Sequence, residues 1–288
     1  MAFPTDVRVI DTMLDLPRQG SDWAKQFANV LRDPESLNKA FKHPAGFLFK
    51  DPVDTSRIVD PIGDTLAGMD RFNIEKALIS VGDALSLTAL QSHPDRFLGQ
   101  VMVDPREGME AVRLLERAVR DYGAIAASFF PCGVDVPIDD KRAYPIYAKC
   151  VELDIPIFIN AGVPGPRMRF QPQKVELLDE VCWFFPELRV VMRHGAEPWT
   201  ELAVKLLLKW PNLYYSTSAF APKYFPRDIV EYANKRGADK ILYAGYYPSG
   251  LSLERSFAEL PAVPFRDEVW PKFLRENAIK VLKLESRA

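Results

Sequence analysis

Eight short strand-like runs, most of them followed by a stretch with helical spacing, recur along this chain. The runs are Val7–Leu14, Lys76–Ser80, Phe97–Val103, Ile125–Phe130, Ile155–Ile159, Arg189–Met192, Leu213–Ser216 and Ile241–Ala244. Most are continuously apolar rather than alternating, as strands covered on both faces are in parallel sheets. Gly108–Tyr122 shows the intervening pattern, with Met109, Val112, Leu115, Ala118 and Val119 at helical spacing. Further helices are expected over Ile62–Phe72, Ala84–His93, Tyr144–Leu153, Lys174–Phe184, Glu201–Lys209 and Arg227–Lys235. About eight strand-then-helix units predict an α/β fold, a TIM-like (β/α)8 barrel forming one domain over residues 1–288. No glycine-rich Gly-x-Gly-x-x-Gly follows the first run, which argues against a doubly wound dinucleotide-binding sheet.

Two segments lie outside this rhythm. Residues 15–60 are irregular and carry Gly20-Ser-Asp, Asp33-Pro-Glu, His43-Pro and Asp51-Pro-Val. An insertion this long after the first strand is expected to be a lid or cap. Leu251–Leu284 is expected to be extra helix packed on the barrel.

Several function classes are excluded by composition. The net charge of -2 comes with no basic stripe, RRM signature or zinc-finger spacing, so no nucleic-acid partner is expected. The three cysteines, Cys132, Cys150 and Cys182, are odd in number and widely spaced, which fits free thiols in a reducing compartment. The N-terminus shows no cationic region followed by an apolar run, and no apolar stretch reaches ~18 residues. A cytoplasmic protein with a small-molecule substrate and no membrane partner is the expectation.

In a closed parallel barrel the residues just after each strand line the active face. Here they are Asp11, Met13 and Asp15 after the first strand, Asp83 after the second and Asp104 after the third. Ser128 to Cys132 follow the fourth, and Asn160 the fifth. Arg193, His194 and Glu197 follow the sixth, Ser216 to Ser218 the seventh, and Tyr246 and Tyr247 the eighth. Of three histidines only His194 falls in this set; His43 and His93 precede prolines in expected turns.

The order and wording of these segments resemble the amidohydrolase-related family, which includes aminocarboxymuconate-semialdehyde-type and resorcylate-type decarboxylases. The resemblance runs from Val7 to Leu284. It is carried by Val9-Ile-Asp11, Leu153-Asp-Ile-Pro-Ile-Phe-Ile-Asn-Ala-Gly162, Val190-Val-Met-Arg-His-Gly-Ala-Glu-Pro-Trp199, Pro211-Asn-Leu-Tyr-Tyr-Ser-Thr-Ser218, Ile241-Leu-Tyr-Ala-Gly-Tyr-Tyr-Pro248 and Glu276-Asn-Ala-Ile-Lys-Val-Leu282. It implies a barrel hydrolase or lyase with a metal site at the mouth. The family's ligand pattern is broken, however. Where the family opens with Asp-x-His-x-His, this chain has Asp11-Thr12-Met13-Leu14-Asp15. Asn160 stands at the fifth-strand histidine, and Tyr246 at the aspartate of Ser-Asp-Tyr-Pro. Only His194 survives in kind. Met13 and Tyr246 are poor ligands for zinc or manganese, so neither a metal nor any other cofactor is expected.

Each candidate residue carries two readings. His194 is a general base or acid, or a structural histidine bridging strand ends. Asp15 is a catalytic carboxylate or a solvated loop aspartate. Tyr246 donates to a developing oxyanion or fills vacated volume. Asn160 binds a substrate carbonyl or plugs space. Arg167 and Arg169 suit a substrate carboxylate or phosphate, or are merely solvated. Met13 and Glu197 complete the expected substrate-binding set. Asp11 is structural or orients His194. Arg193 is expected to point outward, and Cys132 to be an inert thiol. The resulting expectation is a metal-independent hydrolase or lyase: ester or lactone hydrolysis, decarboxylation or hydration of a small carboxylic acid or thioester. The alternative is an inactive subunit or ligand-binding partner of an active paralogue. A homodimer or a hetero-oligomer with such a paralogue is expected.

Overall fold

The computed structural model describes residues 3–19, 23–37, 45–49 and 53–285. Gly20-Ser-Asp, His43 and Asp51 lie outside them. The strands are β1 (Val9–Asp11), β2 (Ile74–Val81), β3 (Phe97–Met102), β4 (Ala124–Phe129), β5 (Ile157–Asn160), β6 (Val190–Arg193), β7 (Leu213–Ser216) and β8 (Ile241–Leu242). They pair in chain order, every pair parallel. Thr12 joins the two ends of the sheet: its N–H and its hydroxyl donate to the Tyr243 carbonyl at 3.2 and 2.8 Å. The sheet curls into a barrel with helices outside, as the strand–helix alternation predicts.

Side chains alternate across the strands, as pleating requires. Ala77, Ile79, Ile157, Ile159, Val190 and Met192 belong to the large outer layer beneath the helices. Ile10, Leu78, Phe158, Val191, Tyr214 and Leu242 form a separate inner cluster. Helix boundaries follow local chemistry. Asp60 accepts from Gly63 N–H and opens the helix Pro61–Arg71, with Pro61 in its first turn. Asp83 and Ser86 form a reciprocal capping box for Ala84–Ser92. Met109–Tyr122 buries Ala111, Val112, Leu115 and Ala118, and ends at Gly123 in the left-handed region.

Two expectations need correction. The first strand spans three residues, not Val7–Leu14. Asp11 Oδ1 accepts from Met13 N–H at 2.9 Å, a local side-chain turn that takes the backbone out of the ladder. The C-terminal segment does more than lie on the barrel. The helix Asn277–Leu282 sends Ala278, Val281 and Leu282 into the inner cluster. Arg189, at the entrance to β6, donates to the Val281 carbonyl at 2.9 Å, so this helix plugs the N-terminal end of the barrel. The opposite end, where the strands finish, remains for chemistry.

Described parts of residues 15–60 reach across that end. Arg167, after β5, donates to Asp33 at 2.9 Å and Glu35 at 2.5 Å. Phe27 meets Phe130 edge-on at 5.6 Å, and Phe49 lies 5.6 Å from Tyr246. No helix among the described residues is long and apolar enough to cross a membrane.

Candidate functional site

His194 follows β6 with φ 63°, a left-handed conformation that non-glycine residues rarely adopt. Ser218, fully buried after β7, holds it at two points. The Ser218 Oγ accepts from the His194 backbone N–H at 3.2 Å and lies 3.1 Å from His194 Nδ1. The Ser216 hydroxyl donates to the same oxygen at 3.3 Å. With two donors on its oxygen, Ser218 gives its own proton to Nδ1. The neutral imidazole then carries its hydrogen on Nε2. Burial, and then the charge on Arg193, push the His194 pKa down to about 3, so the ring is neutral at physiological pH.

Arg193 points into the barrel, not outward. It lies two residues beyond inner-cluster Val191, and a period of two keeps it on the inner face. Only 4% of it is exposed. Its Nη2 donates to Gln100 Oε1 at 2.6 Å and to the Thr12 carbonyl at 3.4 Å. Its guanidinium sits 4.8 Å over the Phe158 ring. Burial lowers its pKa to about 9, which leaves it charged at neutral pH. Its Nε is buried without a hydrogen-bond partner, and no carboxylate forms an ion pair with it among the described residues.

Tyr246 packs edge-on to His194 at 5.5 Å; burial raises its pKa to about 12, against the pull of Arg193, so it stays a phenol. Asn160 ends β5 in register with Arg193 and keeps partial exposure. Its amide makes no hydrogen bond among the described residues. Met13 is half-buried at the same mouth. Asp15 is committed elsewhere. Arg18 donates to it at 2.8 Å and, through Nε, to Asp83 at 2.5 Å. Burial opposes the Arg18 charge, but Asp15 and Asp83 outweigh it and hold the guanidinium above its ordinary pKa.

The other candidates are bound elsewhere, exposed, or buried and inert. Asp11 is fully buried and accepts from Met13 and Gly245 N–H groups, each at 2.9 Å, so it does not orient His194. Glu197 is exposed; partial burial raises its pKa. Arg167 is bound to Asp33 and Glu35, and Arg169 to Asp135. Cys132 is 2% exposed, and burial raises its pKa well above the thiol range. His93 caps the helix Ala84–Ser92. Of the residues that brace this mouth, Ser218 is among the strand-end residues named from the sequence, and Arg18 and Gln100 are not. Gln100 had a signal: it is the one amide inside the apolar run Phe97–Val103.

The mouth therefore presents a cation and neutral donors: Arg193, the His194 Nε2–H, the Tyr246 hydroxyl and the Asn160 amide. Among the described residues no three His, Cys, Asp or Glu side chains converge on a metal position. Asp15 and Asp83 are bound to Arg18 and Asp11 to backbone N–H groups, and a divalent ion here would face the Arg193 charge. These residues do not fit a divalent metal.

A barrel of this topology, with its polar groups gathered where the strands finish, is the architecture of TIM-barrel hydrolases and lyases. The sequence model described as Amidohydrolase matches residues 19–284, and the chain belongs to that family. No curated protein matches it. An uncharacterized TIM-barrel protein from Bordetella bronchiseptica aligns with TM-score 0.77 and 22% identity, covering 98% of this chain and 100% of that one. A 5-carboxyvanillate decarboxylase from Novosphingobium aromaticivorans, complexed with manganese and 4-hydroxy-3-methoxy-5-nitrobenzoic acid, aligns with TM-score 0.69 and 17% identity, covering 97% of each chain. A 2,6-dihydroxybenzoate decarboxylase from Rhizobium gives 0.66 and 17%, covering 98% and 100%. Likenesses at this identity bear on the fold.

Proposed function

We propose that this chain is a metal-independent lyase or hydrolase acting on a small carboxylic acid, with decarboxylation as its leading reaction. The observation that carries this reading is the donor-only mouth. Arg193, His194, Tyr246 and Asn160 are grouped there, while Asp15 is bound to Arg18 and Asp11 to backbone N–H groups. Such a set stabilises negative charge that develops on oxygen. In a decarboxylation the carbon–carbon pair stays on the substrate, spreads onto an adjacent oxygen as CO2 leaves, and the carbon takes up a proton. Ester or lactone hydrolysis makes the same demand for oxyanion stabilisation. The decarboxylase neighbours support the choice of reaction class. His194 serves as the proton-transfer group once a bound carboxylate offsets Arg193 and lifts the ring's pKa. Tyr246 is the oxyanion donor, and Asp15 anchors Arg18 at the rim. A homodimer is the proposed assembly.

The test is a panel of small aromatic and aliphatic carboxylic acids offered to chelator-treated protein, with product and CO2 measured. His194→Ala and Tyr246→Phe are each expected to lower kcat by ~10²-fold or more. Full activity in both variants, or a strict requirement for added metal, refutes the reading. The depressed pKa of His194, a weak base as the site stands, favours a second reading: a ligand-binding partner without turnover. Ligand binding with no product from any acid in the panel would select it.

A further inference from the structure

A guanidinium taken out of water loses its hydration, and folded proteins usually repay that with a carboxylate. Arg18 at the rim shows the usual arrangement, one guanidinium between Asp15 and Asp83. Arg193 is more deeply buried and lacks this compensation. Its partners are a neutral amide, a carbonyl and a ring face, and its Nε has none. The groups around it are neutral at physiological pH: His194, Tyr246 and Asn160. Asp15, which acts on Arg193 electrostatically, is bound by Arg18, and Asp11 Oδ1 is bound by two backbone N–H groups. Arg193 is left a buried cation with no carboxylate bonded to it among the described residues. Met13, Asn160, His194 and Tyr246 all keep partial exposure at this end of the barrel.

We propose that Arg193 is the receptor for a small monovalent carboxylate, which supplies the bonded counter-charge that its guanidinium lacks. Gln100 is its positioning residue: the 2.6 Å bond to Nη2 fixes the plane of the guanidinium within the barrel. The His194 Nε2–H and the Asn160 amide add neutral donors. A dianionic phosphate is disfavoured, because it would bring a second charge with no second uncommitted cation to meet it. Taking this carboxylate to be that of the substrate rests on the function proposed above; the binding itself does not.

Calorimetric titration with sodium benzoate, with neutral benzamide of the same shape and with inorganic phosphate tests the receptor. Benzoate is expected to bind at millimolar concentrations or below, with benzamide and phosphate at least about tenfold weaker. The variant Arg193→Met/Gln100→Leu removes the charge and its partner together, which avoids leaving the amide orphaned. It is expected to stay folded and lose benzoate affinity at least about tenfold. If it does not fold, Arg193→Lys keeps the charge but loses the fork, and weaker benzoate binding is expected there too. In the wild type, one arginine Nε–H resonance should shift with benzoate and not with benzamide, and should be missing in Arg193→Lys. No benzoate binding to the wild type, unchanged affinity in a folded variant, or equal binding of benzamide or phosphate would overturn the receptor. Benzoate bound through Arg193 without turnover of any acid would sink the enzymatic reading alone. Turnover retained by Arg193→Met/Gln100→Leu would sink the receptor alone.

Discussion

Asp11→Asn should make this protein more stable at neutral pH, with a gain that vanishes in acid. Asp11 is completely buried, and burial raises its pKa from the ordinary 3.8 to about 6, against the two backbone N–H groups on Oδ1. Its Oδ2 has no hydrogen-bond partner, and neither has the buried Tyr243 hydroxyl. Both atoms border the space beside Gly245, where an added Cβ would lie 2.7 Å from Oδ2 and 3.5 Å from the hydroxyl. Between pH 4 and 6 the folded protein holds a proton on Asp11 that the unfolded chain has released, so stability falls as pH rises. A shift of about two units corresponds to roughly 3 kcal/mol at ~1.36 kcal/mol per unit, fully lost above the folded pKa. Asparagine keeps an acceptor for Met13 and Gly245, places an N–H donor where Oδ2 was, and cannot ionise. The difference in Tm between variant and wild type, followed from pH 4 to pH 8, should rise from near zero to on the order of 5–10 °C. Comparing two chains that differ only here cancels every other titration. A variant less stable than wild type at pH 8, or a difference independent of pH, would refute the reasoning.

Two further outcomes follow from packing. Leu282→Ala empties a fully buried position in the plug under the barrel and should cost about 2–5 kcal/mol in urea unfolding; a cost below ~1 kcal/mol would mean the helix is not part of the core. Cys132 should resist iodoacetamide at pH 8 in native protein and react once urea unfolds it; rapid native labelling would contradict its burial.

The strands were legible because continuous apolar runs separated by helical spacing have few other solutions. The first was overread, since Val7–Leu14 is rich in strand-forming residues while the turn made by Asp11 ends the ladder after three residues. The mouth was legible as a list of strand ends, and His194 and Tyr246 do come together there. The outward expectation for Arg193 rests on neighbours along a strand alternating faces, which does not by itself say which face is inner. Val191 supplies that reference only once the inner cluster is known. Arg18 sits in irregular chain, and nothing local signals that it bridges to Asp83, 65 residues away. Arg167 and Arg169 had the right chemistry for an anion, but acidic residues as far off as Asp33 decide what they touch.

The plug has a consequence for how the molecule is made. The helix Asn277–Leu282 follows all eight strands in chain order, yet its side chains complete the innermost apolar layer. A nascent chain can lay out the whole sheet and still have a wet, open floor until Leu282 emerges from the ribosome. Synthesis that stalls or stops short of that point would leave a ring of strands with exposed apolar lining, a substrate for chaperones rather than a smaller barrel.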